Sequence, residues 1–267
     1  GPTAPVKPTA PGRVAYAPAM DLDTYQGYRA AERTYKKTLE KTGNPLLKAA
    51  RAKARLCTAV RFGAVKRIAR AKKLLAGLDS GSAEYLKAKA LQALQRGKLR
   101  TARKRLKKAR RKAKDDPEVH LFLGWVELAA GRAEKAEKAF RKAIKYRGES
   151  AGALVGLARS LKLANDPDRL AERRKLLRKA LKLSPKHAGA LVSYYLDAPK
   201  AKGYQTGLKK LGELKASLGE KAAPGEQARI ALGEGRLNLM LGNLDLGLKA
   251  LERAARLSPK DVPTIAA

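Results

Sequence analysis

The chain of 267 residues carries 60 Lys and Arg against 24 Asp and Glu, a formal net charge of +36, with 44% apolar and 5% aromatic residues. That apolar share sustains a substantial core, the abundance of Ala and Leu favours helices over strands, and the single cysteine, Cys57, rules out an internal disulfide framework. No apolar run approaches the roughly 18 residues of a membrane span, and one thiol suits a reducing compartment, the cytoplasm first.

"GPTAPVKPTAPGRVAYAPAM" opens the chain, rich in Pro and Ala and without a helical period. Residues 1–20 therefore read as an extended or disordered linker. Gly1-Pro2 has the form left by a tag-removing protease, so the natural N-terminus is expected elsewhere. Asp21 begins a helical pattern through Leu22, Tyr25, Tyr28 and Leu39, which Gly43-Asn44-Pro45 ends, giving an N-terminal cap over 21–45. Charge is then sharply uneven. Residues 46–114 hold 24 basic and 2 acidic side chains, so about a quarter of the chain carries most of the excess.

A repeat sets the architecture. Gly63, Gly97 and Gly131 stand 34 residues apart, and Asn165, another turn former, follows at the same interval. After Gly97, residues Ala102, Leu106 and Ala109 fall at +5, +9 and +12; after Gly131, Ala136, Phe140 and Ala143 do the same. Gly242 is followed by Gly247, Leu251, Ala254 and Pro259. Seven residues before each turn sit small side chains, Ala90, Gly124, Ala158 and Gly235, where paired helices approach closely. "HLFLGWVELAAGRAEKAEKAFRKAIKY", residues 120–146, resembles the tetratricopeptide repeat (TPR) family, whose period is 34. The resemblance extends over 46–261. It implies an all-α fold, an α-solenoid or right-handed superhelix of about six helical hairpins: 49–82, 83–116, 117–150, about 151–187, about 188–227, and 228–261. The fifth is degenerate, and 262–267 is a tail.

Ten of the fifteen residues from Arg100 to Lys114 are basic and none is acidic. Leu99, Ala102, Leu106, Ala109 and Ala113 recur every three or four residues, one apolar stripe that must pack. The basic residues lie off that stripe, so this is a packed second helix with a cationic outer arc: Arg100, Arg103, Lys104, Lys107, Lys108, Arg110, Arg111 and Lys114. Like charges meet at Arg100/Lys104, Arg103/Lys107, Lys104/Lys108 and Lys107/Arg111, each pair opposing the helix by about 0.2–0.5 kcal/mol. A solvated, solubilising face would interleave Glu. The imbalance instead suits an anionic partner, an acidic protein first. Sequence-blind nucleic-acid or anionic-surface binding through residues 98–114 is the alternative, because no aromatic side chains accompany the ridge.

The TPR resemblance also implies a concave groove lined by first helices. Its positions here are Lys53, Cys57 and Arg61; Lys87 and Leu91; Leu121, Trp125 and Leu128; Val155, Arg159 and Lys162; and Leu232, Arg236 and Met240. Such a groove would take a partner peptide or helix, with Trp125 as anchor. Lys53 and Lys87 match the family's carboxylate clamp, but Cys57 and Leu91 replace its asparagines. Nothing suggests catalysis, a cofactor or a metal. His120 stands at a packing position, His187 in an inter-repeat loop as a surface residue, and Cys57 has no neighbouring histidine. The sequence thus implies a non-enzymatic interaction scaffold or adaptor.

Overall fold

Six helical hairpins follow an N-terminal helix in the structure, a computed structural model that describes residue 14, residues 16–219 and residues 222–257. Helix α1 is Tyr25–Thr42. The hairpins are α2 Leu46–Phe62 with α3 Ile68–Leu75, α4 Ala83–Gln95 with α5 Leu99–Lys112, and α6 Pro117–Ala129 with α7 Ala133–Arg147. They continue with α8 Ala151–Leu163 and α9 Leu170–Leu183, α10 Ala188–Leu196 and α11 Ala201–Leu218, and α12 Pro224–Met240 and α13 Leu244–Leu257. Among the described residues every element is helical, and the fold is an all-α solenoid.

The turn residues explain the repeat. Gly63, Gly97 and Gly131 have φ of 66°, 68° and 67°, and Asn165 reaches 54°. Each ends or follows a first helix in the left-handed region, open to glycine and tolerated by asparagine. Small residues on the first helices work by contact. A Cβ on Gly124 would lie 2.5 Å from Phe140 Cε1, and one on Gly156 would lie 2.3 Å from the same atom. Phe140 is thus clasped between α6 and α8, where no larger side chain fits.

First and second helices divide the labour. Most residues of α2, α4, α6 and α8 are buried, whereas α3, α5, α7 and α9 bury only a stripe. In α5 the stripe is Ala102, Leu106 and Ala109, each fully buried, with Ala113 beside them. First helices face inward, and second helices form the convex surface.

The solenoid also turns far enough to meet itself. Gly225 at the start of α12 lies against the end of α2, where a Cβ would come 2.6 Å from Phe62 O. Arg229 Nη2 donates to Arg61 O at 3.0 Å, and Tyr25 N donates to Glu226 Oε1 at 3.4 Å. The first and sixth hairpins therefore touch, and the groove between them becomes an interior.

That interior is filled from within, which corrects part of the sequence reading. Residues 1–13 of the expected linker, 258–261 of the last repeat and the tail 262–267 lie outside the described residues. Tyr16–Met20, however, is no free linker. Ala17 and Met20 belong to the main apolar core, and Ala17 N donates to Tyr35 Oη at 3.2 Å. A 3₁₀ turn, Pro18–Leu22, ends at Asp23, whose φ of 47° turns the chain towards α1.

Candidate functional site: a cationic interior and a cationic outer face

Two buried charge clusters occupy the concave side. The first is built on helix starts. Asp116 caps α6, accepting the Glu118 N–H at 2.9 Å, while Glu84 sits in the first turn of α4. Carboxylates at helix N-termini suit the local dipole, and here they hold two lysines from neighbouring helices. Lys53 Nζ meets Glu84 at 3.0 Å and Glu118 at 2.5 Å. Lys87 Nζ meets Glu84 at 2.6 Å, Asp116 at 2.8 Å and Glu118 at 2.6 Å. Burial would raise the Glu118 carboxyl, but Lys53 and Lys87 outweigh it and carry its pKa down to about 2. Burial opposes the charge on Lys87 too, yet Asp116, Glu118 and Glu84 raise its pKa well above the usual lysine value. The oxygens of Glu84, Asp116 and Glu118 lie within 4.8 Å of one another, close enough to share a metal ion. Two ammonium groups already hold that position, so the donor set does not fit a metal.

The second cluster centres on Asp23, which is fully buried. Arg61 Nε and Nη2 donate to its two oxygens at 3.0 and 2.6 Å, a bidentate pair. Tyr28 Oη donates at 2.6 Å, and His187 Nε2 lies 2.9 Å from Oδ2. His187 Nδ1 accepts the Ala190 N–H at 3.1 Å, so the hydrogen sits on Nε2 and the ring is neutral. Burial lowers the His187 pKa first; Asp23 opposes this, and Arg61 and Arg229 add to it. For Asp23, burial is outweighed by Arg61 and His187, which hold the carboxyl well below the usual range. The Arg61 guanidinium lies 5.0 Å from the centre of the Trp125 ring, a cation–π contact inside the protein.

The expected groove residues separate accordingly. Lys53, Arg61, Lys87 and Trp125 are 1–4% exposed and engaged by the chain's own side chains, so none lies on an open groove. Cys57 is buried as well, and burial, followed by Glu118, pushes its thiol pKa well above the usual value. Leu121, Leu128, Arg159 and Arg236 are half-buried, and Lys162 is exposed. Arg159 faces the second cluster, where burial, then Arg61 and Arg229, lower its pKa well below the usual arginine value. His187, read as a surface residue, is 2% exposed because it caps α10 and reaches Asp23. His120 is buried, its Nε2 3.0 Å from Lys114 O and its ring beside Tyr146.

Asp23, Glu118, His187 and Arg229 were missed by sequence reasoning. A signal for the acids existed: only six precede residue 115, and Asp23, Glu32 and Glu84 among them are buried. No sequence signal joins Asp23 to His187, 164 residues away.

The outer face is the inverse. Arg100, Lys104, Lys107, Lys108, Arg110, Arg111 and Lys114 are exposed, and none has an ion-pair partner among the described residues. Arg103 differs, since its Nε donates to Glu127 Oε1 at 2.8 Å. The flanking hairpins add exposed Lys66, Arg70, Lys72 and Lys73, and Lys135, Lys138, Lys142 and Lys145.

A family model described as tetratricopeptide repeat matches residues 87–153, the second hairpin, the third and the start of the fourth. Residues 87–153 carry tetratricopeptide repeats. A thermophilic TPR protein of Thermus thermophilus shares the fold with a TM-score of 0.56 and 19% identity, covering 67% of this chain and 93% of that one. A tetratricopeptide repeat protein from Parabacteroides merdae covers 91% of each chain, with a TM-score of 0.50 and 16% identity. None of the curated proteins matches the sequence. The TPR fold is a protein–protein interaction scaffold and is typically non-enzymatic. No helix among the described residues is long and apolar enough to cross a membrane.

Proposed function

We propose that this TPR protein is an interaction scaffold that works through its convex side, with α5 as the centre of a cationic face that receives an acidic segment of a partner protein. One observation carries the reading: the exposed cations of α5 have no counter-charge among the described residues, while the acids are drawn inside. Among the described residues seven acidic side chains are buried against four basic ones, although basic residues are far more numerous, so the described surface is more cationic than the sequence. Like charges held four apart on one helix are mutually destabilising, and an incoming polyanion relieves them while releasing its counterions. The cytoplasm, with its reducing conditions, suits the buried thiol of Cys57.

A sequence-blind polynucleotide is the second reading, favoured by the overall pI near 10.5. Among the large exposed hydrophobics of the described residues the only aromatic is Tyr146, on α7, so base stacking finds no platform on α5. The test is titration with poly-glutamate and with duplex DNA, using wild type and a variant carrying Lys104→Glu, Lys107→Glu, Lys108→Glu and Arg111→Glu. Saturable poly-glutamate binding lost in the variant supports the first reading. Tighter DNA binding, lost in the same variant, supports the second. Binding of both ligands unchanged by the reversal removes α5 from either account.

A further inference from the structure

The segment Tyr16–Asp23 is held as a ligand is held. Arg147 of α7 lies over the Tyr16 ring, 3.2 Å from its centre. The same guanidinium donates to Asp21, Nε to Oδ1 at 3.0 Å and Nη2 to Oδ2 at 2.8 Å. Arg61 of α2 and His187, the cap of α10, take Asp23 from two further hairpins. The Asp23 Cβ packs on Gly152 of α8, where an added methyl would approach it to 3.3 Å. Side chains spread over 126 residues of sequence thus read three positions of one short stretch: an aromatic ring and carboxylates five and seven residues after it.

The recognition centre also holds more positive charge than this stretch supplies negative. Arg229 of α12 is 5% exposed, has no carboxylate within ion-pair distance among the described residues, and its Nε has no hydrogen-bond partner. Its visible partner is a carbonyl, Arg61 O. Glu226, on the same helix, is tied to the backbone amides of Ala223 and Tyr25. Burial, and then Arg61, lower the Arg229 pKa to about 10. A buried guanidinium with an idle donor beside a neutralised one marks a site that would gain from a further acidic group.

We infer that residues 16–23 are a pseudo-ligand arm: they fill the concave centre in cis and exclude from it an extended acidic partner segment of the pattern aromatic-x4-Asp-x-Asp. The chain's own arm sets the chemistry of the partner and competes with it. The docked arm scales the apparent affinity for any such segment down to the fraction of time the site is empty. The inference concerns the concave side alone and stands apart from the convex reading.

The test uses the full chain and a fluorescein-labelled peptide of residues 14–24, VAYAPAMDLDT. Salt of about 0.15 M screens the exposed convex face. Trp125, the only tryptophan, touches Arg61 and reports on the site directly. The Asp21→Asn/Asp23→Asn variant, whose arm is loosened, is expected to bind the peptide at least about tenfold more tightly than wild type, with Trp125 emission returning towards the wild-type spectrum. A peptide with both aspartates replaced by asparagine should lose that binding. Equal affinity for the two proteins, or binding that leaves Trp125 emission unchanged, overturns the inference. Should the double variant lose helicity, Asp21→Asn alone decides, since it disturbs only the part-buried contacts of Asp21 with Arg147 and with the Tyr16 hydroxyl: a gain in peptide affinity supports the site and no gain overturns it.

Discussion

The inner and outer sides of this solenoid are both rich in Lys and Arg, yet they treat charge in opposite ways. Inside, each cation of the lysine cluster meets carboxylates at salt-bridge distance, three acids around two lysines. Outside, seven cations of the α5 arc meet none among the described residues. A basic residue in the sequence therefore has two fates, and burial of the scarce acids decides which. Placing the acids inside leaves the exposed cations of α5 without counter-charge among the described residues.

That contrast can be broken most severely from the inside. Lys87→Met removes one ammonium, leaving Glu84 and Glu118 on Lys53 alone and Asp116 with no ammonium partner. A loss of about 3–5 kcal/mol in urea unfolding is expected, as when one partner of a buried pair is removed. Replacing Leu106 by Ala, on the buried side of α5, should cost about 2–5 kcal/mol by leaving a cavity, although it is flanked by exposed cations. Gly124→Ala should destabilise too, because its methyl would collide with Phe140.

Acid sharpens the comparison with a smaller effect. His187 has its pKa lowered in the fold, so its contribution is complete above about pH 6.5 and declines as pH falls through that value. His120, lowered chiefly by burial, acts in the same direction. Each adds at most about 1.4 kcal/mol per pH unit. The groups facing His187 are Asp23, Arg61 and Arg229, and His187→Asn should reduce the slope of the urea midpoint between pH 6.5 and 5. Glu118, with its pKa carried down to about 2, contributes above pH 4.5 and loses that contribution progressively below it. The smallest effect on stability belongs outside. Reversing Lys104, Lys107, Lys108 and Arg111 to Glu should leave the melting temperature almost unchanged while abolishing poly-glutamate binding.

The hairpin architecture was legible because it rests on local rules. Gly97, Gly131 and Asn165 must adopt positive φ, and Leu106 and Ala109 must find a neighbour, whatever lies farther along the chain. The cationic arc of α5 was legible for the same reason, since its apolar stripe dictates which residues face out. Arg103 was the exception, because its partner Glu127 comes from the next hairpin. The filling of the groove was not legible. It depends on Asp23 meeting Arg61 and His187, contacts that exist only once the stack has curved enough for α12 to reach α2. A Pro/Ala-rich opening looks like a linker in sequence, and nothing local to Ala17 or Met20 reveals that a closed interior awaits them.

Quenching of Trp125 fluorescence by acrylamide tests the central claim most directly, because this residue sits beneath Arg61 where a partner would enter an open groove. The account predicts a blue-shifted emission and quenching far weaker than for free tryptophan in the wild-type protein, with quenching rising when Asp23 is changed to Asn. Quenching in the wild type as strong as that of an exposed indole, unaltered by Asp23→Asn, would contradict it.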